Sequence, residues 1–325
     1  MLSSLVNRCA SIAALPNEIL CLIFIEGYHS SVAPLRGRDQ DPTKYLRAIS
    51  QTCKRFRDVS ISCTLLWTRV HIEWSPKQRQ LWVQRSGNRE LDIHAHRPRP
   101  PRPEGFADAP GDVFERFDKW RTLCFTETST TMITTVLRAI PPTVRCPSLQ
   151  SIVIKSVSGL GNSREAPKNI DERLWCKLTP TAEGSAFPKL RRITFWVAPY
   201  TPWGMLDNVT VLDVHLSQYS WEYWRQLLQQ TNMLQTLSLG AEWHGRNDHE
   251  DEHRGSPVIL SHLHSLELRK DDARFLKLFL SDVTAPSLDN LSIWVPTKGN
   301  LIGLLWEDIT CALSGFVSSF FSYPP

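Results

Sequence analysis

An almost continuous apolar segment lies close to the N-terminus. From Leu15 onward the sequence reads LPNEILCLIFI, and every residue after Glu18 is apolar. Proline suits the first helical position and an acidic side chain in the first turn complements the helix dipole, so this segment is predicted to be a helix. A helix that is apolar on every side must be covered on every side. One face can pack on its own small domain and the other requires a partner, which favours an adaptor over an enzyme.

Three shorter patterns follow this helix. Residues 26–42 contain several glycines and prolines and are predicted to form a polar loop. Apolar residues then recur in steps of three and four over residues 43–59, which predicts one amphipathic helix. A short segment at residues 61–67 precedes a strand-like alternation at residues 70–72. So small a helical block buries too little apolar surface to be stable alone, so it also requires a partner.

Three submotifs in this order resemble an F-box. They are LPNEILCLIF from Leu15, ISQTCKRFRDV from Ile49 and LLW ending at Trp67. The resemblance covers residues 15–72 and is close to the form common in large fungal F-box families. In that family the motif binds the Skp adaptor, which joins it to a cullin ubiquitin ligase. The loop between the first two helices is longer than the usual F-box spacing, and we interpret it as an insertion away from the docking face.

The resemblance also assigns residues to the adaptor interface. A first group is implied to meet or support the adaptor: Leu15, Pro16, Glu18, Ile19, Leu20, Ile23 and Phe24. A second group is implied to hold the domain together, with some members touching the adaptor: Ile49, Cys53, Phe56 and Trp67. The alternative interpretation is a helical hairpin in the core of a different fold.

A connecting region over residues 73–118 separates this domain from the rest of the chain. Residues 76–86 are predicted to form an amphipathic helix that ends at Gly87, and an extended pattern restarts at Leu91. Residues 97–103 read RPRPPRP, a polyproline-II stretch that we interpret as a stiff exposed spacer rather than a ligand for an SH3-like groove. Residues 1–14 are an N-terminal tail.

From about residue 120 the pattern apolar-x-x-apolar-x-apolar recurs along the chain. Its copies begin at Trp120, Leu149, Leu190, Val209, Leu234, Leu263 and Leu288. The last four are about 25 to 29 residues apart, close to the period of leucine-rich repeats. Helical patterns lie between copies, at residues 132–140, 223–228 and 273–280. Because one strand and one helix cannot bury their apolar faces alone, the units are expected to stack into a solenoid over residues 119–325.

The predicted fold class is therefore α+β, with a small all-α F-box followed by an irregular α/β leucine-rich-repeat-like solenoid that contains a parallel sheet. The curve is expected to be irregular because the asparagine ladder of such repeats is absent. The long step between Leu149 and Leu190 is expected to hold an insertion around residues 159–162. An ordinary α/β domain with coincidental leucines is the alternative.

Side chains that flank the last two apolar positions of each copy are predicted to point to the concave face of the sheet. Tryptophans, cations and carboxylates occupy these positions, and this composition suits protein recognition because tryptophan and arginine dominate interface energetics. The predicted target-binding residues are Lys155, Trp196, His215, Arg269 and Trp294. Trp196 and Trp294 are the expected anchors, unless a loop or the C-terminal segment covers them.

Composition and charge narrow the classes of function. The chain of 325 residues has a formal charge of only +4, which argues against nucleic-acid binding. Its 8 cysteines form no C-x-x-C pair and no signal peptide is recognisable, which predicts reduced thiols in the cytoplasm or the nucleus. Residues 301–321 are apolar but include Glu307 and Asp308, so we expect a buried or interfacial helix rather than a membrane span.

One motif satisfies the H-E-x-x-H signature of zinc peptidases, and it is formed by His249, Glu250 and His253. The neighbouring carboxylates would repel within one helical turn, and nearby glycine and proline leave no room for a supporting helix, so a solvated loop is favoured. His94 and His96 are expected to lie at an exposed strand end. No cofactor and no metal are predicted.

The sequence thus favours a non-catalytic substrate-receptor subunit of an Skp–cullin–F-box ubiquitin ligase. Its N-terminal helices would bind the Skp adaptor, and through it a cullin, and its repeats would bind an unidentified target protein. The chemistry would be proximity, because holding the target near the loaded enzyme raises its effective concentration. A zinc peptidase built on the H-E-x-x-H motif and a repeat scaffold with a vestigial F-box are the alternatives.

Overall fold

A computed structural model gives the fold of the chain. It describes residues 12, 14–32, 42–96, 113, 115–128, 132–133, 135–136, 140, 146–157, 187–195, 206–215, 221–241, 257–270 and 273–294. Several features predicted from the sequence lie outside these residues: the proline-rich stretch, part of the helix at 132–140, the insertion at 159–162, Trp196, the H-E-x-x-H motif and the apolar segment at 301–321.

The described residues of the N-terminal block form the following three α-helices and one 3-10 turn. They are α1 (Asn17–Val32), α2 (Pro42–Thr52), α3 (Lys54–Ser62) and the 3-10 turn (Thr64–Trp67). The prediction of one helix over residues 43–59 is wrong, because the chain is extended at Cys53, with φ −158° and ψ 169°. The sulfur of Cys53 accepts a hydrogen bond from the backbone N–H of Phe56 and so caps α3. Residues 26–32, predicted as loop, instead continue α1.

One side of α1 packs against α2 and α3. Leu20, Phe24 and Tyr28 recur every four residues on this side and are buried. The ring of Phe24 meets the ring of Phe56 edge to face, with 5.2 Å between their centroids. The rings of Tyr28 and Tyr45 are 6.3 Å apart in a similar arrangement. The three helices therefore share a small aromatic and aliphatic core.

A cluster of tryptophans joins these helices to the sheet. The elements that follow the 3-10 turn are β1 (Arg69–His71), α4 (Pro76–Ser86) and β2 (Leu91–His96). The indole N–H of Trp67 donates to the carbonyl of Ser60 at 2.8 Å, and its ring lies 4.8 Å from that of Trp82. The ring of Trp82 also packs on Trp74 at 4.7 Å. The N-terminal block and the first strands therefore have one continuous core.

Most of the remaining described strands join β1 and β2 in one large sheet. The remaining strands are β3 (Trp120–Thr128), β4 (Ser151–Val157), β5 (Arg192–Phe195), β6 (Val211–His215), β7 (Thr236–Ala241), β8 (Val258–Ile259), β9 (Ser265–Lys270), β10 (Val283–Thr284) and β11 (Asn290–Trp294). The sheet has nine strands in the order β1-β2-β3-β4-β5-β6-β7-β9-β11, and β8 and β10 form a separate pair. Every pairing among the described residues is parallel. The predicted parallel sheet and the α+β class are confirmed.

The repeated apolar positions lie in register across this sheet. The second apolar residue of each copy pairs with its counterpart on the next strand: Leu123, Ile152, Ile193, Leu212, Leu237, Leu266 and Leu291. The third apolar residue does the same: Phe125, Ile154, Phe195, Val214, Leu239, Leu268 and Ile293. These side chains are buried in every strand except β11, where they are half-buried. Because adjacent strands are only about 4.8 Å apart, the ladders form one continuous core.

Two helices link strands near the C-terminal end of the sheet. They are α5 (Trp221–Gln229) and α6 (Ala273–Asp282), and they include the helical patterns at residues 223–228 and 273–280. The rings of Trp224 and Phe275 are 5.9 Å apart across the two helices. The indole N–H of Trp221 donates to Asp282 at 2.6 Å. None of the described helices combines the length and the apolar character needed to cross a membrane.

Two strands, β1 and β2, precede β3 in the nine-stranded sheet. The sheet therefore begins before Trp120, where the repeated apolar pattern starts. For this reason His94 is buried in β2 and does not lie at an exposed strand end. Arg69 donates from its Nε to Nε2 of His94 at 3.0 Å, and the ring of His71 stacks on it at 5.3 Å. Burial, and then the positive charge of Arg69, hold the pKa of His94 well below its ordinary value.

We expect the free energy of unfolding to decrease as the pH falls from about 7.5 to about 5.5. The unfolded imidazole, with a pKa of about 6.5, takes up a proton in this range. Folded His94 does not, because its pKa is depressed, so protons favour the unfolded state. Denaturant titrations at several pH values measure the slope. A His94→Gln variant should have a smaller slope, and equal slopes would contradict this assignment.

Candidate functional site

Helix α1 carries an apolar face that the rest of the described chain leaves exposed. Ile19, Leu22 and Ile23 are 42%, 62% and 45% exposed. Their spacing of three and four residues places them on one side of the helix, where the exposed Glu26 follows them. Neighbouring exposed aliphatic side chains are typical of interaction sites, so this face is a candidate one. We name Ile19, Leu22 and Ile23 the α1 patch.

The structure divides the predicted adaptor-binding residues into two sets. The first set lies at the surface or is half-buried: Leu15, Pro16, Glu18, Ile19, Ile23 and Cys53. The second set lies in the core: Leu20, Phe24, Ile49 and Trp67. Buried side chains do not form a contact surface, so the second set can act only by supporting the helices that carry the first. Contact of the first set with an adaptor stays a prediction.

The sequence analysis missed three exposed apolar side chains of this block. Leu22 lies three residues after Ile19, so the helical period alone could have placed it on the same face. Ile61 and Leu65 are 38% and 44% exposed, at the end of α3 and in the 3-10 turn. Their orientation depends on the break at Cys53, for which the apolar spacing contains no signal.

Arg55 of α3 holds the start of α1. Its guanidinium donates hydrogen bonds to the backbone carbonyl of Leu15 and, at 2.9 Å, to Oδ1 of Asn17. These two acceptors flank Pro16, where the chain enters the helix. Hydrogen bonds on both sides of the entry point fix the direction of α1 relative to α3, and they therefore fix the position of the α1 patch.

The close approach of α1 to α2 depends on Gly27. A Cβ atom at this position would lie 2.0 Å from the hydroxyl oxygen of Tyr45 and 2.8 Å from its Cζ. The ring of Tyr45 thus occupies the space that any other residue at position 27 would need. Burial at this contact raises the pKa of Tyr45.

Two cysteine thiols meet inside the same block. Cys21 of α1 is hydrogen-bonded to Cys63, which precedes the 3-10 turn, and both are free thiols. Burial, followed by the contact with Cys21, raises the pKa of Cys63 to about 11. Because the thiolate is the reactive form of cysteine, Cys63 is an inert structural thiol at neutral pH.

The sheet face opposite the core carries the predicted target-binding residues, and we name it the open face. Two rows of neighbouring residues cross it from β6 through β7 and β9 to β11. The first row is Asp213, Ser238, Glu267 and Ser292, and the second is His215, Gly240, Arg269 and Trp294. Residues two apart along a strand point to the same side, so the two rows form one surface.

Glu267 is hydrogen-bonded to three neighbours on the open face. Arg269 donates from Nε and from Nη2 to its two carboxylate oxygens, both at 2.7 Å. The hydroxyl of Ser238 donates at 3.4 Å, and the indole N–H of Trp294 donates to the same carboxylate. The bond from Arg269 is the main reason that the pKa of Glu267 is below its ordinary value.

The imidazole of His215 lies directly over the backbone of Gly240. A Cβ atom at Gly240 would be 2.2 Å from Nδ1 of His215, so only glycine leaves room for the ring. Nε2 of His215 lies 3.5 Å from Oδ1 of Asp213. Burial lowers the pKa of His215, so the ring is neutral at neutral pH.

The structure brings three of the predicted target-binding residues together. His215, Arg269 and Trp294 lie in one row, where Trp294 is 64% exposed. Lys155 is half-buried on β4, farther along the sheet, and Trp196 lies outside the described residues. The open face therefore has a concentrated group of interaction side chains at its C-terminal end.

The residues that the structure describes contain no group of three or more histidine, cysteine, aspartate or glutamate side chains that could hold a metal ion. The H-E-x-x-H motif lies outside these residues. The two candidate sites are the α1 patch and the open face.

Comparison with known families identifies one domain. The F-box-like family matches residues 12–73, a segment that contains α1, α2, α3, the 3-10 turn and β1. A comparison with curated proteins finds no match to the chain. The prediction of an F-box at the N-terminus is confirmed. The family match does not extend to the repeat region.

We expect Gly27→Ala to destabilise the N-terminal block. In a helix interior, alanine is normally more stable than glycine by about 0.5–1 kcal/mol. Here the added Cβ would overlap the ring of Tyr45, and overpacking typically costs about 1–3 kcal/mol. Thermal unfolding followed by circular dichroism measures the net change.

Tyr45→Ala supplies the control for this packing test. In that background the clash is removed, so Gly27→Ala should leave the melting temperature unchanged or raise it. A rise in melting temperature for Gly27→Ala in the wild-type background would show that α1 and α2 do not approach each other as described.

Proposed function

We propose that this chain is the substrate-receptor subunit of an Skp–cullin–F-box ubiquitin ligase. Its F-box-like domain binds the Skp adaptor, and through the adaptor a cullin, and its repeat region holds a target protein. The observation that carries this proposal is the α1 patch, an exposed aliphatic face located within the F-box-like domain.

Burial of the α1 patch supplies the energy for adaptor binding. Covering one fully exposed aliphatic side chain contributes about 1.5–3 kcal/mol, and Ile19, Leu22 and Ile23 are each close to half exposed. Their combined burial is worth on the order of a few kcal/mol. The patch lies on a helix that Arg55 and the core already hold in place, so little conformational entropy is lost on association.

The second part of the proposal is a leucine-rich-repeat-like solenoid that presents the target. The in-register aliphatic ladders and the all-parallel order of the described strands support it. The exposed Arg269 and Trp294 support target binding on the open face, because these residue types contribute most to protein interfaces. The target itself is a protein of unidentified sequence.

In this role the chain positions a reaction that another subunit performs. It needs no acid, base or nucleophile of its own, because it raises the effective concentration of a target lysine near the loaded enzyme. We place this activity in the cytoplasm, the nucleus or both, where the free thiols of the described cysteines persist. The proposal includes no nucleic-acid or membrane partner.

A non-ligase repeat scaffold is the competing function, and adaptor binding separates the two. A zinc peptidase built on His249, Glu250 and His253 is not favoured, because the family match identifies an F-box-like domain, which suits a binding subunit. Affinity capture of the full chain together with the Skp adaptor is the direct test. A scaffold with a vestigial F-box would not retain the adaptor.

We expect an Ile19→Asp, Leu22→Asp double variant to lose adaptor binding by at least about 100-fold, which corresponds to about 2.8 kcal/mol. Both side chains are exposed, so carboxylates there should leave the melting temperature almost unchanged while preventing apolar burial at the interface. Isothermal titration calorimetry with the purified adaptor measures the affinity.

Ile259→Asp is the matched control, because Ile259 is 64% exposed on β8, outside the F-box-like domain. It should bind the adaptor like the wild type. Leu20→Ala should instead lower stability by about 2–5 kcal/mol, since Leu20 is fully buried. Wild-type affinity in the double variant would refute the assignment of the α1 patch.

A further inference from the structure

The open face at β9 and β11 holds two large side chains in fixed positions. Glu267 accepts hydrogen bonds from Arg269, Ser238 and Trp294, so the guanidinium and the indole are both tied to one carboxylate. Arg269 and Trp294 are nevertheless exposed to solvent, and they are direct neighbours on adjacent strands. A pair of exposed interface residues held in place before binding is a preorganised recognition site.

We infer that this site binds an acidic segment of the target protein, with a carboxylate of the segment on Arg269 and an adjacent aromatic or long aliphatic side chain on Trp294. The inference rests on the proposed function, because it specifies which chemistry the receptor recognises. It concerns the row of His215, Arg269 and Trp294 and does not involve the α1 patch.

The hydrogen bonds decide the sign of the ligand charge. Both carboxylate oxygens of Glu267 already accept bonds within the chain, and the two bonds from Arg269 compensate its negative charge, which weakens its attraction for a cationic ligand. The bonds from Arg269 use Nε and Nη2, so neither of them involves Nη1. A guanidinium donates through all of its nitrogens, and a carboxylate is the partner that matches its geometry best. The exposed donor edge of Arg269 therefore selects an anion.

The charges around His215 oppose one another, so the exposed guanidinium of Arg269 decides the preference for an acidic ligand. Burial lowers the pKa of His215, Asp213 and Glu267 raise it, and Arg269 and Lys155 lower it. Neutral His215 neither attracts nor repels an acidic ligand, and its Nε2 lies 3.5 Å from Oδ1 of Asp213. A segment that follows this row would pass Trp294 and Arg269 and then approach Lys155.

Trp294 supplies the apolar half of the site. Its indole is 64% exposed although its N–H is bound to Glu267, so the ring is oriented and its surface is open. An aromatic or long aliphatic side chain that covers this ring would remove apolar surface from water on both partners. The combination of an oriented ring with an oriented guanidinium predicts a two-residue recognition element, one apolar and one acidic.

A positional-scanning peptide library provides the test. The full chain, captured together with its adaptor, is incubated with peptides of about ten residues, which are long enough to cross several strands. In each subset of the library, one peptide position is fixed as one defined amino acid. We expect selection of aspartate or glutamate within two positions of an aromatic or long aliphatic residue.

Variants then assign the selected peptide to the site. Arg269→Gln and Trp294→Ala should each weaken binding of the selected peptide at least about tenfold. A peptide in which the selected acid is replaced by its amide should bind the wild type and Arg269→Gln equally, because the pair of charges is then already broken. Arg192→Gln is the matched control, because Arg192 is an exposed arginine on β5 of the same sheet. Its effect should be less than about twofold.

Three results would overturn the inference: selection of lysine or arginine, selection of phosphorylated residues with no preference for aspartate or glutamate, or equal binding by wild type and Arg269→Gln. Failure of the proposed function is a separate result, since it appears as loss of adaptor capture by the wild-type chain. A chain that captures the adaptor but selects no acidic peptide refutes only the inference about the target.

Discussion

The in-register burial of aliphatic side chains across parallel strands is the constraint on which the rest of the structure depends. Leu237 and Leu239 must face the core, since a shift by one residue would turn both of them to solvent. Ser238 lies between these two leucines and Gly240 follows Leu239. Both are on the open face, where packing of the core does not restrict the residue type. A repeat sheet can therefore change its recognition residues without changing its fold.

The residues of the open face illustrate this freedom in the choice of residue type. Gly240 provides no side chain, and the imidazole of His215 fills that space. Glu267 is placed where it orients Arg269 and Trp294, and its own charge is compensated by the bonds that it accepts. A surface built in this way has few conformations to lose on binding, which favours affinity and selectivity together.

The tryptophan cluster connects the two surfaces of the molecule. Trp67 belongs to the F-box-like domain and packs on Trp82 of α4, and β1 begins two residues after Trp67 as the first strand of the nine-stranded sheet. Helix α1 and the sheet that carries the open face therefore share a single core, and β1 is itself part of the F-box-like segment. In the function that we propose, this continuity sets where a bound target lies relative to the adaptor.

The apolar spacing by itself predicted the parallel strands and the helices α4, α5 and α6, because the order of residues fixes which positions recur on a buried face. The F-box-like character of residues 15–72 came from the resemblance of three submotifs to that family. The apolar spacing did not show the break at Cys53, the continuation of α1 through Gly27, or the burial of His94. The last two depend on contacts distant in sequence: the ring of Tyr45 against Gly27 and the neighbouring strands around His94. The break at Cys53 is capped locally by its own sulfur, for which the apolar spacing contains no signal. Only the tertiary structure decided which half of α1 is covered, because an evenly apolar helix has no preferred side until other helices pack against it.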